Sequence, residues 1–178
     1  MLYNFKMDIL ATEESLIEKM SIRARQAVGA VCFRYFCKKY DLNNREIDEF
    51  VDHLLKLATV STPDEFVDWD QEGPELFESG FDDTLPSKLD LSLPTHLKTT
   101  FSALLHDVVE IGMCDAYAGT TDKSKLYLQK VIATVRQHGV EIPELEPFTV
   151  SSFDEMQGWG NPVTPEVITR WRVLVDQR

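Results

Sequence analysis

The chain has 178 residues, 43% of them apolar, with ten Phe, three Trp and five Tyr, and a formal net charge of -12. That length and composition support one domain with a substantial core and exclude the low-hydrophobicity class of disordered chains. The negative charge opposes phosphate and excludes nucleic acid as a partner, while the lack of about 18 consecutive apolar residues, or of an apolar run of signal-peptide length in residues 1–10, argues against membrane insertion and secretion. Cys32, Cys37 and Cys114 are odd in number and predict reduced thiols in a cytoplasmic protein.

Residues 12–40 carry Leu16, Ile17, Met20, Ile22, Ala27, Val28, Val31, Cys32, Tyr35 and Phe36 at helical spacing without a proline, which predicts one long helix or two joined near Ser21. Asn43 or Asn44 can cap a second helix, 44–59, whose stripe is Ile47, Phe50, Val51, Leu54, Leu55 and Ala58. Thr62 and Pro63 open a short helix over 63–71. Gly73 with Pro74, and the stretch from Gly80 to Pro86, read as breaks, and 87–92 reads as a surface loop. Pro94 opens a strongly apolar helix over 94–117, with Phe101, Leu104, Leu105, Val108 and Val109 inside, which the pattern places at the centre of the fold. A polar turn leads to a helix over 122–138, with Leu126, Leu128, Val131, Ile132 and Val135 inward and His138-Gly139 as its C-terminal cap. Thr164, Pro165 and Glu166 start a last helix, 165–175, with Trp171 and Val175 on its apolar side, and 149–153 reads as a short extended piece. The expected fold is all-α: a single-domain bundle of about five to eight helices over 1–178, with a loop-rich acidic segment.

Between Leu57 and Ser87 stand nine carboxylates, Asp64, Glu65, Asp68, Asp70, Glu72, Glu75, Glu78, Asp82 and Asp83, and no Lys or Arg. Charge of one sign at that density repels itself and weakens the compact state, so a cationic partner accounts for it better than the fold does. These nine, with Trp69, are the expected partner-binding residues. Phe66 and Trp69 share one face of the 63–71 helix, while Asp64, Asp68 and Glu72 define another. Trp69 is therefore either a core anchor or, if exposed, a binding hot spot.

Signatures of chemistry are scarce. The chain has no phosphate-cradling Gly-rich loop, no Cys-x-x-Cys pair, no Gly-x-Ser-x-Gly elbow and no His-Glu-x-x-His helix. His106 and Glu110 share a helix face and Cys114 and Asp115 follow one turn on, but a zinc site needs three or four converging ligands and spacing places only two. An intrahelical contact, or a His bonded to a backbone carbonyl, is the simpler expectation. Carboxylate pairs such as Asp68 with Asp70, or Asp82 with Asp83, sit in hydrated sequence, whereas acid-base work needs a desolvated carboxyl. No catalytic residue, metal or cofactor is expected.

Several stretches resemble a helical group of immunity proteins from bacterial polymorphic toxin and contact-dependent inhibition systems. They are Arg23-Ala24-Arg25-Gln26-Ala27 leading into a long helix, Asp52-His53-Leu54 ending the next, and Phe66-Val67-Asp68-Trp69 after it. Val109-Glu110-Ile111-Gly112, Tyr117-Ala118-Gly119, Tyr127-Leu128 and Gly139-Val140-Glu141-Ile142-Pro143 before Phe148 complete the resemblance, which runs over residues 15–148. It implies a small, acidic, helical, cytoplasmic protein that binds and neutralises a cognate toxin stoichiometrically, without catalytic residues. An acidic surface suits a toxin with a basic surface, such as a nuclease, whose active site must attract phosphates. Two other readings stay open: a helical interaction or regulatory module without a toxin, and a metal-dependent hydrolase using His106, Glu110 and some of Asp82, Asp83 or Asp115.

Overall fold

The computed structural model describes residues 2–82, 84–116 and 122–176, and nine α-helices with no strand occur among them. In chain order these are α1 (Leu2–Lys19), α2 (Ile22–Lys39), α3 (Arg45–Lys56), α4 (Pro63–Gln71), α5 (Glu75–Asp82), α6 (Ser87–Ser92), α7 (Lys98–Met113), α8 (Lys123–Gln137) and α9 (Pro165–Asp176). The all-α architecture is as the periodicity indicates. No helix among the described residues is long and apolar enough to cross a membrane.

Residues 12–40 divide at Ser21, which is extended and caps α2 by accepting the Ala24 N–H. The break is held by a second segment. Met20 forms an isolated antiparallel bridge with Ser152, the Ser21 N–H donates to the Ser151 carbonyl at 3.0 Å, and the two serine hydroxyls lie 2.7 Å apart. The expected extended piece at 149–153 is reduced to this one bridge among the described residues. Gly160 lies against it in a left-handed conformation, φ 75°, and a Cβ there would collide with Ser151 and Ser21, so only glycine fits.

The most enclosed helix is α2, buried around its whole circumference from Ile22 to Phe33, rather than the 94–117 helix to which its apolar pattern assigned the centre. Small residues explain this: Ala24, Ala27, Gly29 and Ala30 let neighbours approach closely, and a Cβ on Gly29 would lie 2.5 Å from the Ile111 side chain. α7, α8 and α3 pack around α2, and α5 packs on α7. Cys32 and Cys37 are buried in this core, and all three cysteines are free thiols.

The expected 63–71 helix is α4, whereas the rest of the acidic segment, expected to be loop-rich, folds as α5, and 87–92 is α6. Pro74 does not interrupt α5 but precedes it, accepting the Phe77 and Glu78 N–H groups as the first turn closes. Gly80 lies inside α5 because a Cβ would come within 2.6 Å of Val109 on α7. A break signal and a close-packing signal are the same letter in the sequence. Leu126, expected inside, is 57% exposed on α8.

Candidate functional site

α4 starts where Thr62 accepts the Glu65 N–H at 3.2 Å and Pro63 occupies the first helical position. The Glu65 carboxylate turns back to accept both the N–H and the hydroxyl of Ser61 at 2.7 Å, and these bonds hold its pKa below the usual carboxylate range. The inner side of α4 and α5 is a run of rings. Trp69 stacks on His53 at 4.8 Å and meets Phe77 edge-on at 5.1 Å, Phe77 meets Phe81 at 5.5 Å, and Phe66 bridges Trp69 to Trp159. The Trp69 indole N–H donates to the His53 carbonyl at 2.8 Å.

Trp69 is thus 1% exposed and belongs to the core, which corrects its assignment to the partner-binding set. The helix spacing that put Phe66 and Trp69 on one face also turned that face inward, and the indole N–H found its acceptor there. The carboxylates lie on the other side. Asp64, Glu65, Asp68, Glu72, Glu75, Glu78 and Asp82 are exposed and Asp70 is half-buried; Asp83 lies outside the described residues.

These acids differ in what the fold gives them. Asp64 and Glu65 on α4, and Glu75 and Glu78 on α5, stand in first turns, where the helix dipole favours negative charge. Asp68, Asp70 and Glu72 crowd the last turn and cap of α4, and Asp82 ends α5, with no basic residue in either last turn; there the dipole disfavours them. Glu72 is relieved by Lys56 of α3 at 3.1 Å, a pairing across space that the local sequence did not reveal. Asp82 accepts the Thr84 N–H at 3.0 Å, and bonding to Thr84 keeps its pKa low. Among the described residues Asp64, Asp68, Glu75 and Glu78 form no ion pair. The result is a rigid anionic face on two helices, backed by stacked rings.

The His106 group has a different use. The His106 ring N–H donates from Nδ1 to the Gly80 carbonyl at 2.9 Å, and the ring stands edge-on to Tyr127, so this imidazole ties α7 to α5 and α8. Burial, reinforced by Asp115 and Glu110, pushes the Cys114 thiol up to about 12. Among the described residues no three His, Cys, Asp or Glu side chains come together as a metal-ligand set. Arg23 and Arg25, at the start of α2, are both buried. Arg25 meets Asp122 at 2.9 Å and Ser124 at 2.8 Å, whereas among the described residues Arg23 bonds the Leu57 and Gly160 carbonyls.

No family model matches the chain, and no curated protein or solved structure matches it either.

Proposed function

We propose that this chain is an immunity protein: a stoichiometric, non-catalytic inhibitor that binds a cognate bacterial toxin with a basic surface, a nuclease being the best fit, and neutralises it in the cytoplasm. The observation that carries this reading is the outer face of α4 and α5, where exposed carboxylates include several that oppose their own helix dipoles. Glu72 and Asp82 have partners within the fold, but Asp68 has no ion pair among the described residues, and a cationic partner accounts for it, and for the density of like charge on this face, better than folding does.

The face has the properties that fast inhibition needs. Its charges sit on helices locked by the Trp69, Phe77 and His53 rings, so little ordering is left to binding. Like-signed carboxylates steer a basic partner during encounter and oppose phosphate at the same surface. The test is genetic and physical together. The open reading frame immediately upstream is expressed as its C-terminal domain in cells with and without this chain, and the two proteins are mixed and sized. Growth arrest relieved by this chain, with an equimolar complex, supports the reading. A neighbour that is harmless, or one that kills regardless of this chain, overturns it.

A further inference from the structure

A groove of about 590 Å³ opens between the start of α4 and the segment around Trp159, walled by Val60, Phe66, Val67, Met156 and Trp159, with Arg23 as its single charged residue among the described residues. Val67 and Met156 stand at its rim, 41% and 55% exposed. Volume and apolar walls are those of small-molecule sites, in which a few polar groups fix the ligand's orientation.

Arg23 is 5% exposed and forms no ion pair among the described residues. Its Nη1 donates to the Leu57 carbonyl at 2.6 Å and its Nε to the Gly160 carbonyl at 3.1 Å, and its guanidinium carbon lies 5.9 Å from the centre of the Trp159 ring. Nη2 makes no hydrogen bond among the described residues. Arg23 also sits in the first turn of α2, where the helix dipole disfavours a cation. Two residues on, Arg25 is equally buried but has the Asp122 carboxylate at 2.9 Å. The charge of Glu65 is felt at Arg23, yet that carboxylate is held on Ser61. A buried cation without a bonded anion is costly, and a carboxylate is the planar anion that a guanidinium fits best.

We propose that this groove binds a small monocarboxylate with an apolar body, its carboxylate on Arg23 and its body between Phe66, Val67, Met156 and Trp159. Ser61 donates its hydroxyl to Glu65, and Thr62, whose oxygen accepts at the cap of α4, and Gln157 are neutral, so the guanidinium supplies the charge recognition. A buried cation with no ion pair among the described residues, inside a chain of net charge -12, suits a monoanion and not a phosphate ester. The groove adjoins the acidic face at the start of α4, but the proposal does not depend on the toxin reading.

The probe is phenylbutyrate, compared with phenylbutanol and phenylbutylamine, titrated into the full chain by calorimetry and by NMR of methyl and indole signals. Saturable one-to-one binding of the acid is expected, with shifts at Val67, Met156 and Trp159, at least about tenfold weaker binding of the alcohol, and none of the amine. Because the chain's net charge repels the acid over distance while the Arg23 contact is desolvated, affinity should hold or rise with added salt. R23M should abolish binding. Since Arg23 also ties down Leu57 and Gly160, V67W is measured beside it: this variant fills the groove from its rim, keeps Arg23, and should also bind no acid. Equal binding of acid and alcohol, shifts confined to other residues, no binding by the folded parent, or undiminished binding by V67W would each overturn the proposal. So would a peptide with a free C-terminal Phe binding where phenylbutyrate does not.

Discussion

The Trp69 indole lies flat on the His53 imidazole, the ring centroids 4.8 Å apart and the planes 4° from parallel, while the indole N–H donates to the carbonyl of the same histidine. One residue of α3 thus holds α4 by both its ring and its backbone. Trp69→Ala removes a fully buried ring and its bond to that carbonyl, at an expected cost of about 3 to 5 kcal/mol. Urea unfolding measures it. A stability equal to the parent's would show that α4 is not docked through Trp69.

The same pair makes a pH prediction. Burial, with the charge of Lys56 adding to it and Glu72 opposing, pulls the His53 pKa down to about 4. The unfolded value is about 6.5, so as pH falls the unfolded chain takes up the proton first. Stability from this residue is therefore complete above about 6.5 and is lost as pH drops from there towards about 4, by up to about 3 kcal/mol at roughly 1.4 kcal/mol per unit. His53→Phe keeps a ring against Trp69, and since Nε2 has no hydrogen-bond partner among the described residues, it gives up no bond to them there. Urea melts from about pH 5 to 6.5 should slope downward with acid in the parent and run flatter in the variant. Parallel slopes would place the acid sensitivity in other groups.

Gly80 offers a test whose sign decides. On an exposed helix, Gly→Ala raises stability by up to about 1 kcal/mol. At Gly80 the new methyl would meet the Val109 side chain at 2.6 Å, pushing α5 off α7, and the expected outcome is a loss of about 1 to 3 kcal/mol. Leu105→Ala, fully buried on α7, should cost about 2 to 5 kcal/mol. A raised melting temperature for Gly80→Ala would mean that α5 does not pack as described.

What could be read from the sequence follows the range of the interactions involved. Asn44 accepting the Ile47 N–H, Thr62 with Pro63, and Gly139 at φ 67° closing α8 are local devices, and each is legible in a few letters. α5 and α6 were hidden because Gly80 and Pro86 carry the same letters in a turn as in a close-packed helix or at a helix start. Trp69 had two readings, since spacing gives a shared face but not the direction in which it points. The groove was out of reach altogether: Arg23 bonds carbonyls 34 and 137 positions away, and no window of sequence brings Trp159 to Phe66.

The acidic face makes the prediction closest to function. Asp64, Asp68, Glu75 and Glu78 are exposed and form no ion pair among the described residues, so changing them together to Asn or Gln should leave the chain folded with its melting temperature little changed, as the fall in mutual repulsion offsets the lost first-turn dipole interactions of Asp64, Glu75 and Glu78. Glu72→Gln is a useful contrast, because it removes the carboxylate paired with Lys56 and leaves that positive charge uncompensated on the same surface. Against the cognate toxin the fourfold variant should associate more slowly, by about tenfold or more at low salt, with dissociation little altered, since exposed charges act through encounter. The salt dependence should become shallower for the same reason, the field being screened over about 8 Å at physiological ionic strength. Stopped-flow association at several salt concentrations, beside a melting curve for each variant, separates the possibilities. A folded variant that associates at the parental rate with the parental salt slope would show that α4 and α5 present only a solvated surface and that the toxin binds elsewhere.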